Sequence, residues 1–150
     1  MTRSYYAGGD FRRASTIEEL RRVAMRRVPR FAFEYLEPTQ VECIFDLPEE
    51  MPDRALSVEV RRNVYLVARE ALHNVVKHSG ATKVRINLEI NEHGFRILIK
   101  DDGHGFEPDK LEFPGNGLVN MKKRMADIGG EFVIRSKVGE GTEFRFGLPL

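Results

Sequence analysis

Polar side chains recur at four-residue spacing within an otherwise apolar segment of the chain. Glu70, Asn74 and His78 are one helical turn apart, so a helix would carry them on one stripe, flanked by His73 and Lys77. An Asn oxygen suits Mg²⁺, a Glu carboxylate can orient water, and Lys or His can contact phosphate oxygens. The stripe is compatible with a solvated helix face, but its position beside the apolar face also fits the wall of a cleft.

Three glycine-containing segments add further candidate groups. The segment DDGHG at 101–105 follows a strand-like run, where paired glycines let a ligand approach the backbone and Asp101 could accept a hydrogen bond from an exocyclic amine. The segment GNGL at 115–118 opens a helix, whose free N–H groups and dipole favour phosphate. Each segment alone could equally be an ordinary turn or helix start. The candidate residues are Asp101, Gly103, Gly105, Gly115, Gly117, Leu118 and, after the turn GEG at 139–141, Thr142.

The elements that must position these residues follow from apolar periodicity. Spacings of three and four predict helices, and strict alternation predicts strands that pair as hairpins. The predicted helices are 17–37, 57–79 (capped by Ser57 and ended by a left-handed Gly80) and 118–128. The predicted strands are 40–47, 83–90, 95–100, 131–136 and 142–148, with a positive-φ Gly94 in the turn at 91–94. Residues 1–10 are predicted to form a loose leader, and 107–116 a polar loop.

Composition sets limits on the class of protein. The chain has 150 residues, of which 41% are hydrophobic and 31% charged, a globular balance with no run long enough to span a membrane. The formal net charge of +1 requires neither nucleic acid nor an anionic membrane as partner. Cys43 is the single cysteine, which favours a reducing, cytoplasmic setting and is compatible with a membrane anchor elsewhere in a longer parent protein.

The order and spacing of these segments resemble the ATPase domain of bacterial sensor histidine kinases. REALHNVVKHSGA resembles the N box, DDGHGF the first glycine box and GNGLVNMKKRMADIGG the second, while GEGTEFRFGLPL resembles the closing strand motif. The short interval between the glycine boxes is similar to the subgroup of nitrate-sensing and lipid-sensing kinases. The resemblance covers about residues 31–150, which leaves 1–30 as a leader and helix of uncertain origin.

The resemblance implies an α+β fold and a set of residue roles. The implied Bergerat fold is a two-layer α/β sandwich, in which a mixed, mainly antiparallel five-stranded sheet carries the helices on one face. The implied ligands are ATP and Mg²⁺. Asn74 would bind Mg²⁺, Glu70 would act catalytically by orienting water, and Asp101 would accept from the adenine amino group. The remaining nucleotide-binding roles would fall to Lys77 and His78 near the phosphates, Gly103 and Gly105 at the base, Gly115, Gly117 and Leu118 at the lid, and Thr142 beside the adenine.

The resemblance also implies partners in a two-component system. The ATP γ-phosphoryl group would pass to a histidine on a dimerisation domain, and from there to a response regulator. The four histidines of the chain are His73, His78, His93 and His104, so we expect the phosphoacceptor histidine to lie on a separate domain. The segment STIEELRRVAMRRVPRFAFEYLE also resembles the opening helices of FMN-dependent α-hydroxy-acid oxidising enzymes, but no barrel sequence follows and no flavin function is assigned.

Two other functions share the same pocket. One is a serine kinase of the anti-sigma type, and the other is a non-catalytic module in which nucleotide only sets a conformation. The GxGTxFxxxLP ending favours the histidine kinase over the serine kinase. A scaffold that binds no nucleotide is disfavoured by the complete set of motifs.

Overall fold

Among the residues that the structure describes, a mixed six-stranded sheet forms one layer and two α-helices lie on one of its faces. The computed structural model describes residues 2–6 (backbone only), 36, 39–48, 55–110 and 115–149. The spatial strand order is β1-β2-β3-β4-β6-β5, where only β2 and β3 run parallel. The strands are β1 (Thr2–Tyr6), β2 (Glu42–Leu47), β3 (Lys83–Ile90), β4 (Phe95–Asp101), β5 (Glu131–Ser136) and β6 (Thr142–Leu148). The helices are α1 (Val58–Asn74) and α2 (Asn116–Asp127), with a 3₁₀ turn at Pro108–Lys110.

The core lies between one face of the sheet and the two helices. Alternation places every second strand residue on that face, and the strand register aligns them in rows across the sheet. One row joins Phe45, Ile86, Ile99, Phe144 and Ile134 through successive strand pairs. The helices cover these rows with buried side chains that include Val67, Ala71, Leu72, Met121 and Met125. The predicted two-layer α+β architecture with helices on one sheet face is confirmed.

The helical segment starts after the predicted cap Ser57 and reaches Ser79 as predicted, but α1 itself ends at Asn74 and the last turn differs from the prediction. The Ser57 hydroxyl accepts from the Val60 amide at 3.2 Å, which confirms the N-cap. Val75–Ser79 forms a π-helical turn rather than a continuation of the α-helix, and the Ser79 hydroxyl donates to the Val75 carbonyl at 2.7 Å. Gly80 follows with φ of 61°, as predicted for a left-handed C-terminal residue. A wider last turn changes the direction in which 75–79 present their side chains.

Two local predictions are wrong. Residues 2–6, predicted as part of a loose leader, form strand β1 and pair antiparallel with β2, adding a sixth strand to the predicted five. Gly94 does not have the predicted positive φ. The position instead requires glycine because a side chain there would collide with the Pro149 carbonyl. The predicted helix 17–37 lies outside the described residues except for Leu36, which is buried in the core, and the proposed boundary near residue 30 also lies outside them.

No helix within the described ranges is long and apolar enough to cross a membrane.

Candidate functional site

A cavity of about 420 Å³ opens between the C-terminal half of α1, the end of β4, the start of β6 and the start of α2. This volume is within the usual range for small-molecule and cofactor sites. Its walls combine polar side chains from α1 with backbone from the glycine-rich turns. The lining residues are Glu70, His73, Asn74, His78, Ser79, Asp101, His104, Gly105, Phe106, Gly115, Gly117, Leu118, Thr142 and Phe144.

Helix α1 supplies the polar wall of the cavity. Glu70, His73 and Asn74 are half-buried, and all three line the cavity with His78 from the π-helical turn. The rings of His73 and His78 meet edge to face with centroids 6.1 Å apart. The Glu70 and Asn74 side chains make no hydrogen bond or ion pair in the described part of the chain. Their oxygens are therefore available to a ligand or to a metal ion.

Asp101 is the most deeply buried acidic group in this cavity, with 2% of its surface exposed. The Gly103 amide donates to Oδ1 at 2.8 Å, which holds the carboxylate in one orientation. Oδ2 is buried and accepts no hydrogen bond among the described residues. Burial raises the pKa of Asp101, and the backbone amides of Gly103 and Thr142 act more weakly in the opposite direction. A buried acceptor without a partner is costly, so Oδ2 is a position where a ligand donor would be stabilising.

The neighbouring Asp102 has a structural role instead. Its Oδ1 accepts from the Thr82 and Lys83 amides at 2.9 and 2.8 Å, and its Oδ2 accepts from the Thr82 hydroxyl at 2.8 Å. Partial burial opposes ionisation of Asp102, but the donors from Lys83 and Thr82 outweigh it and lower the pKa of this carboxyl. Asp102 thus joins the end of β4 to the start of β3 and is not part of the cavity lining.

The glycines after β4 allow several backbone segments to pack against one another. A side chain at Gly103 would collide with the Ser79 carbonyl, and one at Gly105, which has φ of +61°, would collide with the Lys137 carbonyl. The His104 amide donates to the Ser79 carbonyl at 2.8 Å, so the loop is bonded to the end of the π-helical turn. Gly103 therefore shapes the cavity through this packing rather than by lining it.

The N-terminus of α2 closes the cavity opposite α1. Gly115 is the N-cap residue and has no side-chain cap, so backbone N–H groups at this helix start are not satisfied by a capping side chain. A side chain at Gly117 would collide with the Glu70 carboxylate. The glycine at this position lets α2 approach α1 closely and keeps Glu70 near the helix start.

Nine of the eleven predicted site residues line one cavity. They come from segments up to 72 positions apart (from 70 to 142), which the fold brings together. Gly103 is buried just behind the wall, and Lys77 is exposed and is not part of the lining. The roles proposed for the individual residues remain predictions.

Five lining residues were not among the predicted site residues. His73 flanked the predicted stripe, and His104 and Phe106 lay within or beside the first glycine motif, so their positions carried a signal. Ser79 and Phe144 carried none, because the π-helical turn and the pairing of β4 with β6 bring them to the cavity.

Ser136 joins three of the segments behind the cavity. Its hydroxyl accepts from the Phe106 amide at 2.9 Å, donates to the Gly141 carbonyl at 3.1 Å and lies 2.8 Å from the Thr142 hydroxyl. Two of these partners, Phe106 and Thr142, line the cavity. A lone serine at the end of a strand gives no sequence signal for this role.

We expect Ser136→Ala to lower the free energy of unfolding by about 1–3 kcal/mol, because the Phe106 amide loses its acceptor in a partly buried place. Urea unfolding followed by circular dichroism measures the change. Ser57→Ala, which removes a solvent-exposed cap hydroxyl from α1, is the comparison for a serine deletion far from the cavity. Wild-type stability of the Ser136→Ala protein would contradict the bridging role.

The comparisons with known proteins agree with this fold. The model of the histidine kinase-, DNA gyrase B- and HSP90-like ATPases matches residues 59–150, more than half of the chain. The sensor histidine kinase LiaS of Bacillus subtilis is 34% identical over 105 residues, which is 70% of this chain and 29% of LiaS. The sensor protein VraS of Staphylococcus epidermidis is 32% identical over 101 residues, which is 67% of this chain and 29% of VraS.

Solved structures show the same fold at low sequence identity. The histidine kinase domain of the blue-light activated kinase EL346 from Erythrobacter litoralis gives a TM-score of 0.64 at 18% identity, covering 89% of this chain and 60% of that one. Full-length ShkA in complex with AMPPNP gives a TM-score of 0.61 at 22% identity, covering 99% of this chain and 32% of that one.

The fold is that of an ATPase domain, and the chain belongs to the family of histidine kinase-, DNA gyrase B- and HSP90-like ATPases. Within that family it is a histidine kinase-like ATPase domain, since its curated relatives are sensor histidine kinases. The chain spans less than a third of the length of these relatives. The relatives favour the histidine kinase over a serine kinase or a non-catalytic module.

Proposed function

We propose that the cavity binds ATP with the adenine at Asp101. The observation that carries this proposal is the buried Oδ2 of Asp101, which has no partner in the described structure. Because the Gly103 amide already fixes Oδ1, the second oxygen has a defined direction in which to accept from an exocyclic amine. Thr142, held against Ser136, is the neighbouring polar group. ShkA, which shares the fold, was solved with the ATP analogue AMPPNP.

The phosphate end of the nucleotide is proposed to lie between α1 and the N-terminus of α2. Free N–H groups and the helix dipole at Gly115–Leu118 favour negative charge. The Asn74 oxygen would hold Mg²⁺ together with phosphate oxygens and water, which suits an ion that is rarely enclosed by protein groups alone. His78 would contact the phosphates, and Lys77, which is exposed outside the cavity lining, would have to rotate inward to do so.

The proposed reaction is transfer of the γ-phosphoryl group to a histidine on a separate dimerisation domain. Such transfers depend mainly on positioning and charge neutralisation. Bound Mg²⁺ would neutralise charge developing on the phosphates. Glu70 lies within the same cavity, and its unpaired carboxylate can orient a water molecule or accept a hydrogen bond from an incoming acceptor. The Phe106 and Phe144 side chains form an apolar part of the wall, which would exclude water from the base end.

A phosphoryl-transfer assay tests the kinase proposal. The full chain is incubated with γ-labelled ATP, Mg²⁺ and a sensor-kinase dimerisation domain that carries the acceptor histidine. Acid-labile label on that domain is the expected result, whereas label on serine of an anti-sigma antagonist would support the serine kinase. Nucleotide binding without transfer to either protein would leave the non-catalytic module as the function.

We expect Asn74→Asp to change the Mg²⁺ dependence of nucleotide binding, because a second carboxylate joins Glu70 near the phosphates. Without Mg²⁺ the added charge repels the nucleotide, so affinity should fall by about tenfold, which corresponds to a like-charge cost of about 1.4 kcal/mol. Saturating Mg²⁺ should recover part of this loss. Calorimetric titration with a non-hydrolysable ATP analogue, with and without Mg²⁺, measures both values. Asn63→Asp, on the same helix outside the cavity, is the control, and equal behaviour of the two variants would remove Asn74 from the metal site.

We further propose that this chain works in the cytoplasm, and that its partners are the acceptor domain and a response regulator of a two-component system. Support for the partners comes from the sensor kinases among its relatives. Support for the compartment comes from the single buried thiol of Cys43, whose pKa burial raises well above its ordinary value.

A further inference from the structure

The outer face of α1 carries a group of exposed arginines with apolar side chains between them. Arg61, Tyr65 and Arg69 are four residues apart and form a line about 12 Å long, and Val58 and Arg62 lie beside that line. Val58 is 72% exposed and Tyr65 is 38% exposed. We refer to these five residues as the α1 arginine patch.

The arginines of this patch lack acidic partners and lie together on one face of the helix. Seven ion pairs formed by lysine or arginine in the described ranges involve the sheet, the turns and α2, and none involves α1. The side chains of Arg61, Arg62 and Arg69 make no ion pair or hydrogen bond there. Glu59, the acidic residue in the first turn of α1, lies on the flank of the helix rather than within the patch. Three unpaired charges on one face create a local positive field on a chain of net charge +1.

The patch lies directly beside the cavity. His73, one turn after Arg69 on the same helix, lines the cavity, as does Glu70, the residue next to Arg69. A protein seated on the patch would therefore lie at the edge of the cavity where Glu70 and Asn74 are found. That edge is the end at which the phosphates are proposed to bind.

We propose that the α1 arginine patch docks an acidic surface of the protein that receives the phosphoryl group. The inference rests on the proposed kinase function for the identity of this partner. Charge complementarity requires the partner surface to be acidic, and the exposed Val58 and Tyr65 favour protein, because arginine with aromatic and aliphatic groups is typical of protein interfaces. Exposed charges change mainly the rate at which two proteins associate. The patch should therefore govern the KM for the acceptor rather than kcat.

The test compares two variants with the same change of charge. Arg61→Gln/Arg69→Gln removes two charges from the patch, and Lys100→Gln/Arg135→Gln removes two unpaired charges from strands β4 and β5, outside α1. In the transfer assay the patch variant should raise the KM for the acceptor domain by about tenfold, with kcat and nucleotide affinity unchanged. The control variant should keep its KM within about twofold of wild type. Equal KM values for the two variants would overturn the proposal.

A binding assay separates this proposal from the kinase proposal. Fluorescence anisotropy with a labelled poly-L-glutamate peptide requires no phosphoryl transfer, so it remains informative if the wild-type chain transfers no label. Binding that weakens in the patch variant and not in the control supports the patch. Peptide binding that is the same in all three proteins overturns it. Tighter patch-dependent binding to phosphatidylglycerol vesicles or to duplex DNA than to the peptide would also overturn it, because the surface would then recognise phosphates.

Discussion

We expect Asp101→Asn to reduce adenine nucleotide affinity at least tenfold while leaving the protein as stable as wild type or more so. The Gly103 amide selects the oxygen of the new side chain as its acceptor, which leaves the –NH₂ group at the position of Oδ2. A donor then faces the donor of the adenine amine. The lost charge-assisted hydrogen bond is worth about 1.5–3 kcal/mol, which corresponds to roughly a 10- to 150-fold change in Kd.

The effect of Asp101→Asn on the free energy of unfolding depends on pH. Burial raises the pKa of Asp101 in the folded protein, so its contribution to stability is fully present below the unfolded pKa and falls as pH rises through the folded pKa. Asp101→Asn removes that ionisation. The variant should therefore gain stability relative to wild type as pH rises above about 4, the ordinary value for Asp. Urea unfolding at acidic and neutral pH, beside calorimetric titration of an ATP analogue, measures both effects.

Asp102→Asn is the matched control for this prediction. The same isosteric change one residue later weakens the contacts to Thr82 and Lys83 and leaves the cavity lining intact. Because the pKa of Asp102 is lowered, its contribution is present above the unfolded pKa and is lost as pH falls through the folded pKa. We expect lower stability at neutral pH with unchanged affinity. If both variants lost affinity equally, the adenine assignment of Asp101 would be contradicted.

Features that depend on local chemistry could be predicted from the sequence. The strand alternation in 131–136 and 142–148 predicted β5 and β6 to the residue, because a half-buried strand has a strict period of two. The capping residues Ser57 and Gly80 were predictable because their chemistry is local. The glycine-rich segment was correctly placed after β4, and Asp101 lies in the cavity as expected.

Features that depend on distant segments could not be predicted in this way. Pairing of β4 with β6 places Lys100 opposite Glu143, and this register brings the end of β4 beside Thr142. Nothing in the local sequence near Ser136 indicates that it bonds to both sides of the cavity wall. Strand β1 was missed because its five residues show no alternation and are ordered by pairing with β2. Gly94 was correctly predicted to be a turn glycine, but for the wrong reason. Glycine is required there because Pro149 approaches closely, and not because the residue has a positive φ.

Steric contacts also require glycine at position 103. A methyl group there would collide with the Ser79 carbonyl and lie 2.7 Å from Ser79 Cβ and 2.8 Å from Asp101 Oδ1. Two of these atoms belong to fixed backbone or its first side-chain carbon, so the loop itself must shift. We expect Gly103→Ala to lower the free energy of unfolding by about 1–3 kcal/mol, the usual cost of overpacking.

The same shift should also impair the site, because the Gly103 amide orients Asp101. If the loop moves, the 2.8 Å hydrogen bond to Oδ1 is lost or bent, and the carboxylate is no longer held with Oδ2 toward a ligand. Gly103→Ala should therefore combine the affinity loss of Asp101→Asn with a loss of stability that Asp101→Asn lacks. The two measurements together distinguish a positioning residue from a ligand contact.

Gly115→Ala is the matched control, since it adds the same methyl group to another glycine of the same site. No atom lies within 4 Å of a Cβ at Gly115, and its φ of −50° is accessible to alanine. Stability should remain within about 0.5 kcal/mol of wild type, as for most surface substitutions. Differential scanning calorimetry measures the stability of both variants, and nucleotide titration measures their affinity. Equal stability of Gly103→Ala and Gly115→Ala would show that the loop after β4 adapts to a side chain, and that packing against Ser79 does not hold Asp101 in position.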